Sequence, residues 1–439
     1  MKYCFFFLEC GEKAMKREAG IKWLFMDLNS FFASVEQQEN PHLRGVPVAV
    51  TPMDTDYTCV IAASYEAKAY GVNTGVMVKH AKSMCPGLQC VTAHHDVYVA
   101  YHNKIIEEVV KHTSINKICS IDELSSRLPP SKRSMHAASR VARNIKEGIW
   151  DNVGAYINCS IGCASNSLLA KIACDMHKPD GLTFLPQETL PESLFSLRLT
   201  DITGIGANME KRLNRQGITS LRDLVRLSPK HARKAWGSVL GERMWYLLQG
   251  YDLETAATST SVIVHSRILD PQTRTRRSAK NILCALTVKA AHRLRHKELY
   301  AGGVSIFLRT TDGTKLLRDA QIPATEDIFT ILHFVDLLWM GLMRDIAKNS
   351  YPHNTAIKKV SVCLHKLSEK HALTEDMFIH TYEHGHPDKT LALSSALENL
   401  QKKYKKQVVS LGMPPKTAAG YVGTKIAFSR IPDQQEFWS

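Results

Sequence analysis

At 439 residues the chain is too long for one compact core, so two to four domains are expected, and its 44% apolar and 22% charged residues are those of an ordinary globular protein. A formal charge of +14 favours a polyanionic partner, either nucleic acid or an acidic membrane surface. No stretch reaches the roughly 18 to 20 apolar residues of a membrane span, and none of the eleven cysteines forms a CxxC pair or a Cys/His set at zinc spacing, so reduced thiols in a cytosolic protein are expected.

The opening "MKYCFFFLEC" has an apolar patch of only about six residues and no small-residue cleavage site. Residues 1–20 are therefore expected to be disordered, or an over-extended start. "IKWLFMDL" (21–28) is an apolar run ending in an acid, which predicts a buried strand carrying Asp27 to its tip. In "NSFFASVEQQ" (29–38) the period changes, and Phe31, Phe32 and Val35 fall on one helical face with Asn29 or Ser30 as N-cap. A strand follows in 47–52, a second strand and a short helix closed by Gly71 share 58–72, and an amphipathic helix over 96–112 and a strand pair over 116–128 come next. A helix over 136–154 precedes a strand over 155–164. This alternation predicts an α/β domain on an antiparallel or mixed sheet.

In "DITGIGANMEKRLNRQGI" (201–218), Gly204 and Gly206 join two expected helices in a helix–hairpin–helix pattern. Its glycines would let backbone N–H groups approach a phosphate. An ordinary tight turn is the plainer alternative, and a less regular second hairpin is expected in 235–252. "LETAATSTS" (253–261) reads as a linker. Residues 262–365 then read strand, helix, strand, strand, helix, strand, a βαββαβ module. From Arg267 to Arg318 it holds twelve Lys/Arg against three Asp/Glu, an asymmetry that points to a nucleic-acid surface on which Arg267 and Arg309 stand. One more amphipathic helix is expected at about 391–405.

"CSIDEL" (119–124) sets Asp122 and Glu123 side by side at a strand end. An isolated Asp-Glu pair is usually a surface turn. With Asp27, however, three carboxylates converge if the two strands pair in one sheet, and converging acids that stay ionised imply bound cations. Oxygen-only ligands suit Mg²⁺, and two such ions about 3.5–4 Å apart would align an in-line phosphoryl displacement. Tyr65 and Lys68 in "SYEAKAYG" and Lys171 in "SLLAK" are groups able to hold a triphosphate.

"MDLNSFFASVEQ", "SYEAKAYGV", "SIDE", "IGCASNSLLAKIACDMHKPDG" and "ITGIGANMEKRL" resemble, in order and over residues 21–368, the motifs of Y-family lesion-bypass DNA polymerases of the bacterial DinB/UmuC kind. The resemblance implies an α/β right-hand fold: palm (21–38 and 94–184), small fingers (39–93), helix–hairpin–helix thumb (185–255) and βαββαβ little finger (262–368), flanked by extensions at 1–20 and 369–439. It also implies that Asp27 and Asp122 bridge two Mg²⁺ ions, that Glu123 completes the first, and that the Leu28 carbonyl touches the second. Phe32 matches the steric gate against a ribose 2′-OH, while Tyr65, Lys68 and Lys171 match the triphosphate contacts.

Two positions depart from the family pattern. Lys68 stands where many members have Arg, and "LSSRL" follows the acids where a small residue, an aromatic and an acid are usual. The activity implied is low-fidelity, template-directed addition of dNTPs to a primer 3′-OH, by a cytoplasmic monomer bound to primer-template DNA. A non-catalytic DNA-binding accessory subunit and a metal-dependent nuclease are the alternatives. The tail "DQQEFWS" pairs Gln434 and Gln435 with Phe437 and Trp438, as a sliding-clamp peptide would; packing back onto the 391–405 helix is the other reading.

Overall fold

In a computed structural model of the chain, residues 20–254, 261–348, 356–369, 387–404, 409 and 431–432 are described. The initial stretch before residue 20, most of the expected linker and the aromatic tail lie outside them. The architecture is mixed α/β and multidomain, and it divides into two compact units, one built on residues 20–254 and one on residues 261–404.

The first unit is organised around β1 (Trp23–Leu28), whose residues beyond Trp23 are all buried. Ser30 then turns the chain in a left-handed conformation (φ 50°) into α1 (Phe31–Glu39). β2 (Val48–Thr51), β3 (Ala62–Ala63), α2 (Tyr65–Ala69), α3 (Val78–Met84) and β4 (Gln89–Thr92) form a small subdomain with sheet order β3-β2-β4. Its own core holds Ala49, Ala63, Ala67, Val72, Val78 and Ala81. α4 (His95–His112), β5 (Lys117–Ile118), β6 (Glu123–Arg127) and α5 (Met135–Asn152) follow. Ser134 caps α5 through the Ala137 amide, and its Ala138, Val141, Ala142, Ile145 and Ile149 recur at helical spacing and are buried.

β7 (Cys159–Ala164), α6 (Ser167–Met176) and β8 (Leu182–Leu185) complete a five-stranded sheet of order β5-β6-β1-β7-β8. It is mixed: β1 is antiparallel to both neighbours, and β7 is parallel to β8. The strand expected from residue 155 begins only at Cys159. The Tyr156 amide donates to Gln38 Oε1 (3.0 Å) and the Ile157 amide to the Gly154 carbonyl (3.0 Å), so these donors are already paired in a turn. Among the described residues every cysteine is a free thiol.

Helix α6 lies so close to β7 that a Cβ on Gly162 would sit 2.1 Å from the Ala170 carbonyl oxygen and 2.2 Å from the Cys174 amide nitrogen. Both neighbours are backbone and cannot rotate away. Gly162→Ala is therefore expected to lower the denaturant midpoint with unchanged m-value, at a cost of about 1–3 kcal/mol.

Four helices close the unit: α7 (Ala207–Asn214), α8 (Leu221–Arg226), α9 (Pro229–Trp236) and α10 (Val239–Leu248). Their buried Ile205, Leu213, Leu221, Leu224 and Trp236 share one core with Phe25 and Leu169. The helix expected ahead of Gly204 is a single 3-10 turn, Leu199–Asp201, closed when Asp201 Oδ2 accepts the Arg198 amide at 2.9 Å.

The second unit reads β9 (Val262–Ile268), α11 (Arg276–His296), β10 (Leu299–Thr310), β11 (Lys315–Thr325), α12 (Ile328–Lys348) and β12 (Ile357–Glu369), followed by α13 (Pro387–Tyr404). The βαββαβ order is the expected one. The sheet order is β11-β10-β12-β9 with every pair antiparallel, so each helical crossover skips a strand. Ile263, Val304, Ile306, Leu308, Val360, Val362 and Leu364 alternate onto the face that packs against α11 and α12. Ser394 of α13 donates to Asp327 Oδ1 at 3.1 Å. Among the described residues no helix is long and apolar enough to cross a membrane.

Candidate active site

The pairing of β1 with β6 sets Asp27 directly opposite Glu123, and opposite partners in an antiparallel pair point to one face of the sheet. Asp122 immediately precedes β6. Its carbonyl accepts the Leu28 amide at 2.8 Å, which fixes the turn against the tip of β1. From behind, the buried His102 ring bonds the Ile121 carbonyl through Nδ1 at 2.7 Å. Two strand tips 95 residues apart in sequence thus bring the three acids to one place.

Two ammonium groups stand among these acids. Lys171 Nζ reaches Asp27 Oδ2 (3.0 Å) and Glu123 Oε1 (2.5 Å), and Lys178 Nζ reaches Asp27 Oδ2 (2.7 Å) and Asp175 Oδ1 (2.8 Å). Burial by itself would raise the Asp27 carboxyl, but Lys171 and Lys178 overrule it and hold it below the ordinary carboxylate value. Asp122 goes the other way: burial, with the Asp27 charge added, raises it despite the hydrogen bond from Ser120 Oγ. Glu123 is also raised, by burial first and by Asp27.

Among the described residues no three His, Cys, Asp or Glu side chains are grouped closely enough to hold an ion as they stand. The donor chemistry nevertheless fits a hard divalent cation. It consists of three carboxylates and the adjacent Leu28 carbonyl, all oxygen.

Residues from the small subdomain complete the site. Lys68 Nζ donates to Ser30 Oγ (2.8 Å) and lies 4.4 Å from the centre of the Tyr65 ring. Burial and the charge of Lys178 lower the Lys68 ammonium, and burial raises the Tyr65 phenol. Phe31 is buried in the core, whereas Phe32 is half-buried and stacks on Tyr98 with centroids 4.3 Å apart.

Sequence reasoning placed Asp27, Asp122, Glu123, Tyr65, Lys68, Phe32 and Lys171; the structure brings the three acids, Tyr65 and the two lysines within electrostatic reach of one another, and sets Phe32 on the adjoining α1 against Tyr98. Lys171, expected on a triphosphate, is here engaged by carboxylates. Lys178, seven residues further on, is a second cation on Asp27. Asn29 ties that turn down, its Oδ1 accepting the Asp180 amide at 2.7 Å. Lys171, Asp175 and Lys178 lie at i, i+4 and i+7, a same-face spacing that could have revealed the last two.

The expected nucleic-acid contacts divide in two. Gly204 (φ 101°) needs its glycine, whereas a Cβ at Gly206, just before α7, would meet no atom within 4 Å. A second hairpin, α9–Gly237–α10, borders an open cavity of about 560 Å³ lined by Lys230, Arg233, Lys234, Gly237, Ser238 and Val239. In the second unit, Arg309 stands between Lys315 and Lys359 in one row across three strands, on the face away from the helices. Arg267 is not in that row. It shares the helix-covered face with Ile263, and its side chain, 16% exposed, faces Asp270 at 3.8 Å. Strand alternation turned it inward.

The impB/mucB/samB family model matches residues 26–175, and the model of that family's C-terminal domain matches residues 261–377. A relative named DNA polymerase IV, from Moorella thermoacetica, is 30% identical over 88% of this chain and 94% of its own length. Another of the same name, from Clostridioides difficile, is 26% identical over 82% of this chain and 97% of its own. Among solved structures, a Y-family DNA polymerase chimera of Dbh and Dpo4 is similar with a TM-score of 0.67 at 25% identity, covering 79% of this chain and 99% of that one. DinB from Sulfolobus solfataricus is similar with a TM-score of 0.51 at 26% identity, over 78% of this chain and 98% of that one.

Proposed function

The chain belongs to the impB/mucB/samB family, the DinB-like Y-family DNA polymerases, and from that membership we propose how its residues divide the work. It is a DNA-directed DNA polymerase of low fidelity, serving translesion synthesis and DNA repair. Its substrates are primer-template DNA and nucleotides, and polymerases of this family typically use divalent metal.

In our reading the metal is Mg²⁺, two ions. Asp27 and Asp122 would hold both, Glu123 the first and the Leu28 carbonyl the second. When bound, the pair would polarise the primer 3′-OH and neutralise charge on the α-phosphate and the leaving pyrophosphate. Every other contribution comes from the chain itself. Lys68 and the Tyr65 hydroxyl hold the outer phosphates from the finger side. Lys171 reaches the triphosphate from its position between Asp27 and Glu123. Phe32 lies under the sugar and leaves no room for a 2′-hydroxyl.

The duplex is held by backbone amides near Gly204 and Gly206, and by the Lys315–Arg309–Lys359 row, whose spacing across strands suits successive phosphates. Residues Phe437 and Trp438 dock on the sliding clamp, and the enzyme works as a cytoplasmic monomer.

The observation that carries this reading is Asp27 opposite Glu123 with Asp122 alongside, and with Lys171 and Lys68 close by. The test is primer extension on a defined template. With Mg²⁺ and four dNTPs, addition of the complementary nucleotide is expected, and a chelator should end it. Degradation of the DNA without addition would make the protein a nuclease; binding without either reaction would make it an accessory subunit.

A further inference from the structure

Phe32 is part of a larger fixture. One face of its ring lies on Tyr98, centroids 4.3 Å apart and planes 13° from parallel. His95 meets both rings edge-on, at 6.1 Å from Phe32 and 5.9 Å from Tyr98. Tyr98 is fully buried, and its hydroxyl donates to Glu36 Oε1 at 2.5 Å. Glu36 follows Phe32 by four residues on α1, so the two share a helix face. The body of the Tyr98 side chain rests on Phe32, therefore, and its tip is bonded one helical turn further on.

Glu36 itself is 7% exposed, a costly place for a carboxylate without donors. Oε1 takes two: the Tyr98 hydroxyl and His94 Nδ1, the latter at 2.9 Å. His94 and Tyr98 both belong to the start of α4, so the carboxylate joins α4 to α1 at the level of the stacked rings.

We propose that Glu36 is a positioning residue for sugar selection, acting through Tyr98 to fix the height and tilt of the Phe32 ring. The proposal rests on the reading of Phe32 as the barrier to a ribose 2′-hydroxyl. The physical need is clear. Excluding a single oxygen atom requires the blocking ring to be placed within a fraction of an ångström, because a small radial gap removes the overlap that does the excluding. Offset stacking alone holds rings loosely, as many lateral offsets serve nearly as well. A short hydrogen bond from phenol to carboxylate is directional and charge-assisted, and it removes that freedom. Glu36 touches no substrate in this arrangement. Its effect passes entirely through the Tyr98 ring.

The experiment measures kcat/KM for insertion of a ribonucleotide and of its deoxy counterpart opposite one template base, with the full chain. Four proteins are compared: parent, Phe32→Ala, Tyr98→Phe and Glu36→Gln. Tyr98→Phe removes one oxygen and keeps the stack, and it should raise the rNTP-to-dNTP ratio about fivefold to tenfold, a part of what one hydrogen bond to a charged group is worth. Glu36→Gln leaves an acceptor in place and should raise it by about half as much. General loss of stability would lower both insertions together and leave the ratio at the parental value. A parental ratio in Tyr98→Phe, with Phe32→Ala strongly changed, overturns the role of Glu36 while the gate stands. A parental ratio in Phe32→Ala removes the gate reading and this proposal with it. Should Glu36→Gln fail to fold, Tyr98→Phe decides alone.

Discussion

Asp122→Ala is expected to abolish nucleotide addition, by at least about a thousandfold in single-turnover rate, while primer-template affinity stays within about twofold. The rate falls because this carboxylate would bridge both cations. Losing it removes the charge and the alignment that in-line displacement requires. Affinity should persist because, in the proposed reading, the duplex is gripped elsewhere, at the hairpin glycines and the row around Arg309. The protein should also remain folded. Burial and the neighbouring charge of Asp27 both oppose ionisation of Asp122, so removing the carboxyl relieves repulsion. Thermal unfolding at or above the parental temperature is the expected companion result, a gain in stability matched by a loss of function. Full activity in this variant would remove the metal assignment outright.

Phe32→Ala should turn a deoxynucleotide enzyme into one that accepts ribonucleotides. The ratio of rNTP to dNTP insertion is expected to rise on the order of a hundredfold, which corresponds to about 2.7 kcal/mol of lost steric exclusion. Fold stability should drop only modestly, since the ring is half-buried and its neighbour Phe31 is the one packed in the core. Deoxynucleotide insertion should suffer less than the ratio gains, because the sugar loses a platform but no hydrogen bond. An unchanged ratio would return Phe32 to ordinary packing.

Much of this site was legible in the chain before any coordinates. "IKWLFMDL" announces a buried strand ending on an acid because a fully covered strand is apolar throughout, and a polar residue can appear only where it meets solvent or an ion. "SIDE" repeats the device. Convergence of the two follows once the strands pair. The pairing itself was not legible, because a strand run names its own face and not its partner. The same gap explains Arg267: composition counted it with the exposed cations, but alternation along β9 turned it under the helices, beside Asp270. Lys178 was hidden for another reason. Its motif "HKPDG" reads as a turn, and only the tertiary approach of α6 to β1 shows that the turn carries an ammonium to Asp27. Ser30 in the left-handed region is likewise invisible, since nothing local requires serine there.

The interleaved sheet of the second unit sets a timetable for its assembly. Among the described residues β9 pairs with β12 and with no other strand, and β12 begins about 95 residues downstream. At about 5–20 residues per second of synthesis, β9 leaves the ribosome roughly 5–20 s before its partner exists. During that interval β10 and β11 can form their hairpin, a local pairing, but α11 has nothing complete to pack on. The nascent β9 meanwhile presents Val262, Val264 and Ile268, all exposed even in the finished sheet, beside Ile263, which is not yet covered. Non-local closure of this kind is slow and leaves an unpaired edge open to other chains. A chain cut anywhere before β12 would strand that edge permanently. Yield of the active protein in a cell is thus governed by how long a single strand must wait.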